Sequence, residues 1–248
     1  MPSLVDFHIH IDYHENFREM YDYFSQNEIY ALFVTNLPEI FERCKREFPE
    51  SKYVKIAMGY NPQLAKTHSF NRFVFEKWLP HTKYIGEVGL DYSKEFIETK
   101  REQQKAFRYI CKRAGETNKI LSIHSRMAEK DTLDILLENK VRFAVFHWYS
   151  GNQTILEKII SCGYYLSVNY SMLTSAKGMS IIRAIPLDRI LIETDAPFGK
   201  CNVKGKSYNL PLIYQEFEKR LGERNISTIV FNNLKRLLVE QQDCDTYQ

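Results

Sequence analysis

A closed (β/α)₈ barrel, an α/β fold, is the class that this sequence predicts. Short apolar runs alternate with longer amphipathic stretches along the chain, the pattern of parallel strands joined by helices. There are eight such runs, and eight strand-helix units in 248 residues match the ~250 residues typical of the closed barrel. An open doubly wound sheet is the second choice. It is disfavoured because no G-x-G-x-x-G follows the first strand and no G-x-x-x-x-G-K-[ST] occurs anywhere.

The first strand is LVDFHIHI (4–11), and a polar-apolar stretch from Glu15 to Gln26 follows it as a helix. YALFVT (30–35) leads to a helix over 39–48, VKIAMG (54–59) to one over 70–79, and YIGEVG (84–89) to one over 97–117. ILSIH (120–124) precedes a helix over 128–139, RFAVFH (142–147) one over 152–162, YYLSV (164–168) one over 174–184, and RILIET (189–194) further helix after Leu210. The runs are rich in β-branched and aromatic residues, which suit a pleated, buried surface. No Pro-, Gly- or Ser-rich linker, shift of composition or internal repeat divides the chain, so one domain over 1–248 is expected. The tail QQDCDTYQ reads as a frayed end.

Hydrophobic residues at 44%, charged residues at 26%, and only 10 Gly and 8 Pro exclude disordered, collagen-like and low-complexity chains. A net charge of +3 neither demands nor excludes a nucleic-acid partner. The five cysteines are odd in number, widely spaced and never C-x-x-C, so they read as reduced intracellular thiols rather than a disulfide framework or zinc ribbon. MPSLVDFHIHIDYHENF lacks the basic start and apolar core of a signal peptide. No apolar run reaches the ~18 residues that span a bilayer. A soluble, cytoplasmic chain with no membrane partner is expected.

The chemistry lies at strand ends. Residues two apart on a strand share a face, so Asp6, His8, His10 and Asp12 point one way, expected to be into the barrel. An inward imidazole pair can hold a divalent ion, although H-x-H alone is equally what two satisfied core histidines would show. His124 and His147 end the fifth and sixth strands, and GEVGLDY and LIETDAP set Glu87 and Asp195 among apolar residues. A buried, unpaired carboxylate costs several kcal/mol, so something positive should neutralise Glu87. Catalytic groups of barrel enzymes collect at the C-terminal ends of the strands, where His8, His10, Glu87, His124, His147 and Asp195 can converge on two metal ions bridged by Glu87. Mixed N and O ligation suits Zn, Mn or Mg without choosing among them. His14, His68 and His81 read as ordinary polar residues.

VDFHIHID, YIGEVGLDY, ILSIHSR, VFHWYSG, RILIETDAP and FNNLKRLL resemble, in order and spacing, the TatD family of metal-dependent deoxyribonucleases, which are amidohydrolase-type metal-dependent hydrolases on a TIM barrel. The resemblance runs nearly end to end. It implies one metal on His8, His10, Glu87 and Asp195, a second on Glu87, His124 and His147, and Asp195 handling the proton of the nucleophilic water. The sequence departs from the family at GYNPQ (Gly59 to Gln63), which stands where the family has G-x-H-P-H, so Asn61 and Gln63 replace a histidine pair in a loop expected to meet substrate. MGYNPQLA, ILSIHSR, HWYSG and SVNYSMLTSAKG resemble more closely the TatD-like nucleases of bacterial Qat antiphage defence systems. That likeness implies companion proteins, among them an ATPase and a QueC-like protein.

The function expected is hydrolysis of DNA phosphodiester bonds. Metal lowers the pKa of bound water from 15.7 to about 7, on the order of 12 kcal/mol, against roughly 3–5 kcal/mol for a lone general base. Removing metal should therefore harm activity more than removing any single substrate contact. Arg126 can grip a phosphate or form a surface ion pair. Trp148 can stack a base or pack in the core, and Ser150 and Gly151 precede a helix whose first N–H groups suit phosphate. Lys200, Lys204 and Lys206 can draw in a polyanion or simply line a solvated loop. Two other classes stay open: a small-molecule amidohydrolase or lactonase, and a defence-complex subunit that keeps its metals for structure.

Overall fold

A computed structural model describes residues 3–13, 17–49, 51–199 and 209–246, the side chains of the last two of these apart. Eight parallel strands lie in chain order: β1 (Val5–His10), β2 (Tyr30–Val34), β3 (Val54–Tyr60), β4 (Tyr84–Gly89), β5 (Ile120–His124), β6 (Phe143–His147), β7 (Tyr165–Val168) and β8 (Ile190–Ile192). The ring closes where the chain leaving β8 meets β1, through the Asp195 N–H to the His8 carbonyl at 2.9 Å and the His10 N–H to the Ala196 carbonyl at 3.1 Å. The fold is thus the (β/α)₈ barrel that the alternation predicts, and the open sheet is excluded. All strand residues of β1, β4, β6, β7 and β8 are buried, as expected for strands covered on both faces.

Around the barrel run α1 (Phe17–Gln26), α2 (Pro38–Glu47), α3 (Arg72–Trp78), α4 (Lys100–Glu116), α5 (Glu129–Glu138), α6 (Gln153–Ser161), α7 (Tyr170–Thr174), α8 (Ala176–Ala184), α9 (Leu210–Leu221) and α10 (Ile226–Thr246). The helix expected over 174–184 is α8, which starts two residues later, and an extra turn, α7, precedes it. Asn169 caps that turn by accepting the Met172 N–H at 3.1 Å, and Ser175 then leaves helical geometry and caps α8 by accepting the Gly178 N–H at 3.0 Å. The tail also differs from expectation, because α10 continues to Thr246. Gly222, in the left-handed region at φ 70°, ends α9.

The strands that carry the chemistry are not regular. Asp6 pairs with Ala31 but Ile9 with Phe33, so β1 holds one residue more than β2 over that stretch. In β4, Ile85 and Val88 pair with Leu121 and Ile123 of β5, while Met58 and Tyr60 of β3 pair with Ile85 and Val88. Gly86 and Glu87 therefore form a bulge against both neighbours, and bulges re-aim side chains. Gly59 makes this possible: a Cβ there would lie 1.7 Å from the Thr35 carbonyl oxygen and 2.6 Å from the Glu87 nitrogen. The space it leaves lets the Glu87 N–H reach the Thr35 carbonyl at 3.1 Å.

Among the described residues, no helix is long and apolar enough to cross a membrane.

Candidate metal centre

His8 and His10 project from β1, Glu87 from the β4 bulge, His124 and His147 from the ends of β5 and β6, and Asp195 from just beyond β8. The structure brings all six together at one end of the barrel. Glu87 sits at the middle: its Oε1 lies 2.8 Å from both His124 Nδ1 and His147 Nε2, and its Oε2 lies 3.6 Å from His10 Nε2. Asp195 Oδ1 is 3.6 Å from His8 Nε2 and 3.4 Å from His10 Nε2. The His8 and His147 rings stack with centroids 3.9 Å apart. His8 belongs to two groups of donor atoms that fall within 4.8 Å of one another, one with Glu87 and His147 and one with His10 and Asp195.

These imidazoles are held from behind. His8 Nδ1 meets Ser122 Oγ of β5, across the barrel, at 2.7 Å, so Nε2 is the nitrogen turned toward Asp195. His124 Nε2 meets Asp91 Oδ2 at 2.9 Å, leaving Nδ1 for Glu87. His147 Nδ1 faces Glu193 Oε1 at 3.6 Å, and Glu193 is itself held by the Ser167 hydroxyl and, at 3.0 Å, by the Asn169 amide. A carboxylate or hydroxyl behind a histidine fixes its tautomer and aim, as it does behind metal-binding histidines.

The electrostatics follow from burial and this pairing. Burial pushes the Glu87 carboxyl up, but hydrogen bonds from His124 and His147 outweigh it and hold the group well below the usual carboxylate range. Burial likewise opposes charge on His147 and His124, yet their carboxylate partners raise both, His147 strongly. His8 moves the other way, lowered first by burial and then by the nearby His147 charge. A charged Glu87 among imidazoles is what the buried carboxylate in GEVGLDY requires.

Whether a cation fits can be tested on unpaired atoms. His8 Nε2, His10 Nδ1, His147 Nδ1 and Asp195 Oδ1 are buried side-chain atoms without a hydrogen-bond partner. Unpaired buried polar atoms are costly and uncommon, and two of these, His8 Nε2 and Asp195 Oδ1, face each other inside the cluster. The nitrogen and oxygen donors fit a divalent ion of the Zn, Mn or Mg kind.

Two members of the polar set predicted for the first strand stay outside the cluster. Asp6 accepts the Thr194 N–H at 2.9 Å and its hydroxyl at 2.7 Å, tying β1 to the chain beyond β8. Asp12 accepts the Asn36 N–H and side-chain amide at 2.9 and 2.8 Å, and its other oxygen is 3.9 Å from His10 Nδ1. The Gln63 amide donates to Asp91 Oδ2 at 2.9 Å. Asp91, Glu193, Ser122 and Asn36 were not singled out from the sequence. Asp91 and Glu193 sit inside GEVGLDY and LIETDAP, so a second acid within each motif was the available signal.

Above the centre opens a cleft of about 770 Å³. Arg126, Trp148 and Ser150 line it, with Tyr13 and Phe198, which are 46% and 47% exposed and meet edge to face at 5.1 Å. Trp148 stands in the left-handed region at φ 39°, a costly conformation for a bulky residue, with its N–H on the Ser167 carbonyl at 3.2 Å. Gly151 serves packing: a Cβ there would lie 2.4 Å from the Tyr149 hydroxyl oxygen. His68 meets the Thr67 hydroxyl at 2.8 Å and His81 packs on Trp78 at 5.7 Å, both away from the centre. His14, Cys201, Lys200, Lys204 and Lys206 lie outside the described residues.

The chain is also similar to known proteins. The chain is 29% identical over 127 residues to the human deoxyribonuclease TATDN3, a match over 50% of this chain and 46% of that protein, so it spans less than half of that relative's length. It is 31% identical over 216 residues to the uncharacterized metal-dependent hydrolase BU355 of Buchnera aphidicola, covering 79% of this chain and 81% of the other. In fold it is similar to the TatD homolog YjjV of Escherichia coli, with a TM-score of 0.75 at 21% identity over 94% of this chain and 97% of that one. The family described as TatD related DNase matches residues 5–239, a span that takes in every strand and all six clustered side chains, and the chain belongs to that family.

Proposed function

We propose that the chain is a metal-dependent deoxyribonuclease that hydrolyses DNA phosphodiester bonds with two divalent cations. The observation that carries this is the convergence of His8, His10, Glu87, His124, His147 and Asp195, with His8 Nε2 and Asp195 Oδ1 buried and unpaired between them. His8, His10, Glu87 and Asp195 would hold one cation, and Glu87, His124 and His147 the other. Bound there, the cations would supply Lewis-acid activation of a water and positive charge for the phosphoryl oxygens. Asp195, which faces the same space, would take the proton of that water. Arg126 at the cleft edge grips a phosphate, and Trp148 offers a face to a base. Tyr13 and Phe198 add a half-exposed aromatic wall of the kind that stacks bases without regard to sequence. Ser150 lines the same cleft, and Gly151 beside it leaves room for the Tyr149 hydroxyl. The setting we favour is cytoplasmic antiphage defence alongside an ATPase and a QueC-like protein, supported by the MGYNPQLA, HWYSG and SVNYSMLTSAKG wording.

The test is cleavage of end-labelled single- and double-stranded DNA with Mg²⁺, Mn²⁺ or Zn²⁺. Wild type should cut, and chelator or Glu87→Ala should abolish cutting. No cleavage under any condition, or cleavage indifferent to chelator, overturns the reading. Plaque assays with His8→Ala test the defence setting, where unchanged protection would exclude a role for hydrolysis.

A further inference from the structure

Asn61 caps a short 3₁₀ helix (Pro62–Lys66) that follows β3, and Gln63 lies in its first turn, both on the wall of the cleft. Asn61 is 4% exposed, and both polar atoms of its amide are engaged. Oδ1 accepts the Gln63 N–H at 2.9 Å, while Nδ2 donates to Asn36 Oδ1 at 2.8 Å and to Glu87 Oε2 at 2.6 Å. Two acceptors around Nδ2 and one donor at Oδ1 allow only one orientation of the amide. Gln63 reaches the other side of the centre, onto the Asp91 oxygen that faces His124.

We infer that Asn61 and Gln63 are positioning residues for divalent-cation binding, each fixing an acid of the centre through a neutral amide donor. This rests on the reading of the cluster as a metal site. The carboxylate of Glu87 can turn about its last torsion, and imidazoles stand near both of its oxygens. The Asn61 N–H on Oε2 stops that turn, so Oε1 stays with His124 and His147 while Oε2 stays toward His10. Gln63 holds Asp91, and Asp91 holds His124 by Nε2, so that Nδ1 is the nitrogen offered to the centre. Both devices add no charge that would compete with a cation.

The residue type matters because three partners must be met at position 61. An amide supplies two donors and one acceptor, whereas an imidazole that donates twice has no acceptor left. A histidine at 61 would therefore leave Asn36 Oδ1, Glu87 Oε2 or the Gln63 N–H unmet.

The experiment titrates metal-stripped chain with Mn²⁺ by calorimetry and measures the melting temperature of the same metal-free samples. Gln63→Met keeps the length and apolar stem but removes the donor. It should melt with wild type yet bind Mn²⁺ about 10–100-fold more weakly, the usual effect of losing a group that orients a ligand. Asn61→Ala and Asn61→His should weaken binding at least as much, with Asn61→Ser as the replacement should either fail to fold. Wild-type affinity in folded Gln63→Met, or in a folded Asn61 variant, overturns the assignment for that residue. Failure of the nuclease reading is distinguishable. A wild type that binds Mn²⁺ but cuts no DNA leaves the inference standing, and variants that bind Mn²⁺ normally sink it whatever wild type cleaves. A wild type that binds no divalent ion overturns it outright.

Discussion

At the scale of single residues, the centre is a set of acids and imidazoles each gripped by something remote in sequence. His8 is aimed by Ser122, 114 residues away, and Ser122 sits on the opposite wall of the barrel. Its hydroxyl is small, and its loss should disturb little except the aim of that ring. Ser122→Ala is expected to lower Mn²⁺ affinity or cleavage by about 10–100-fold while the folded chain survives. Calorimetry and initial rates on the purified variant check it, and an unchanged affinity together with an unchanged rate would show that His8 needs no such anchor. The six clustered residues were legible because a histidine or acid inside an apolar run is conspicuous. Ser122 and Asn36 were not, since a neutral polar residue inside a strand or just beyond one carries no such mark, and Asn61 and Gln63 showed only as a departure from the family's histidine pair. Asp91 and Glu193 fell between: visible as acids, but with partners known only once β4, β5, β6 and β8 are assembled.

At the scale of elements, irregularity rather than regularity presents the chemistry. Apolar alternation reads out strand positions to within a residue or two, yet it presumes a strict period of two, and β1 and β4 break that period at the residues that matter. A bulge leaves no composition signal except a glycine whose reason is unseen, as with Gly59 and Gly86. Gly59→Ala puts a methyl where the Thr35 carbonyl oxygen now lies, 1.7 Å from the ideal position. The strand must shift, and with it the Thr35 bond to the Glu87 N–H. Overpacking of this kind typically costs about 1–3 kcal/mol. Urea unfolding should show a loss of that size, and cleavage should fall further than the unfolded fraction explains, because Glu87 moves. A variant as stable and as active as wild type would mean that the bulge is not held there.

At the scale of the whole molecule, the closed ring separates the parts that hold the fold from the part that does chemistry, and a pH experiment can exploit that separation. Glu76 of α3 accepts from Arg113 Nε of α4 at 2.9 Å and from the Tyr109 hydroxyl, on the outer shell and away from the strand ends that carry the centre. Burial pushes its carboxyl up, but those two donors outweigh it and hold the group below its ordinary 4.5. A depressed acid stabilises the fold fully above its unfolded value, and that contribution is lost as pH falls through the folded value. The pair is partly solvated, so the effect is about 1 kcal/mol or less, which for a chain of this size moves the melting temperature by roughly 2–4 °C at most. Glu76→Gln should therefore melt below wild type near neutral pH, with the two curves converging as pH drops below 4.5. DNA cleavage at neutral pH should be the same for both, since the hydrogen bonds of Glu76 run to α4. A constant gap between the melting curves down to the lowest pH would show that the carboxylate's ionisation adds nothing to the α3–α4 contact. Altered cleavage in a fully folded variant would show that the shell and the mouth of the barrel are coupled.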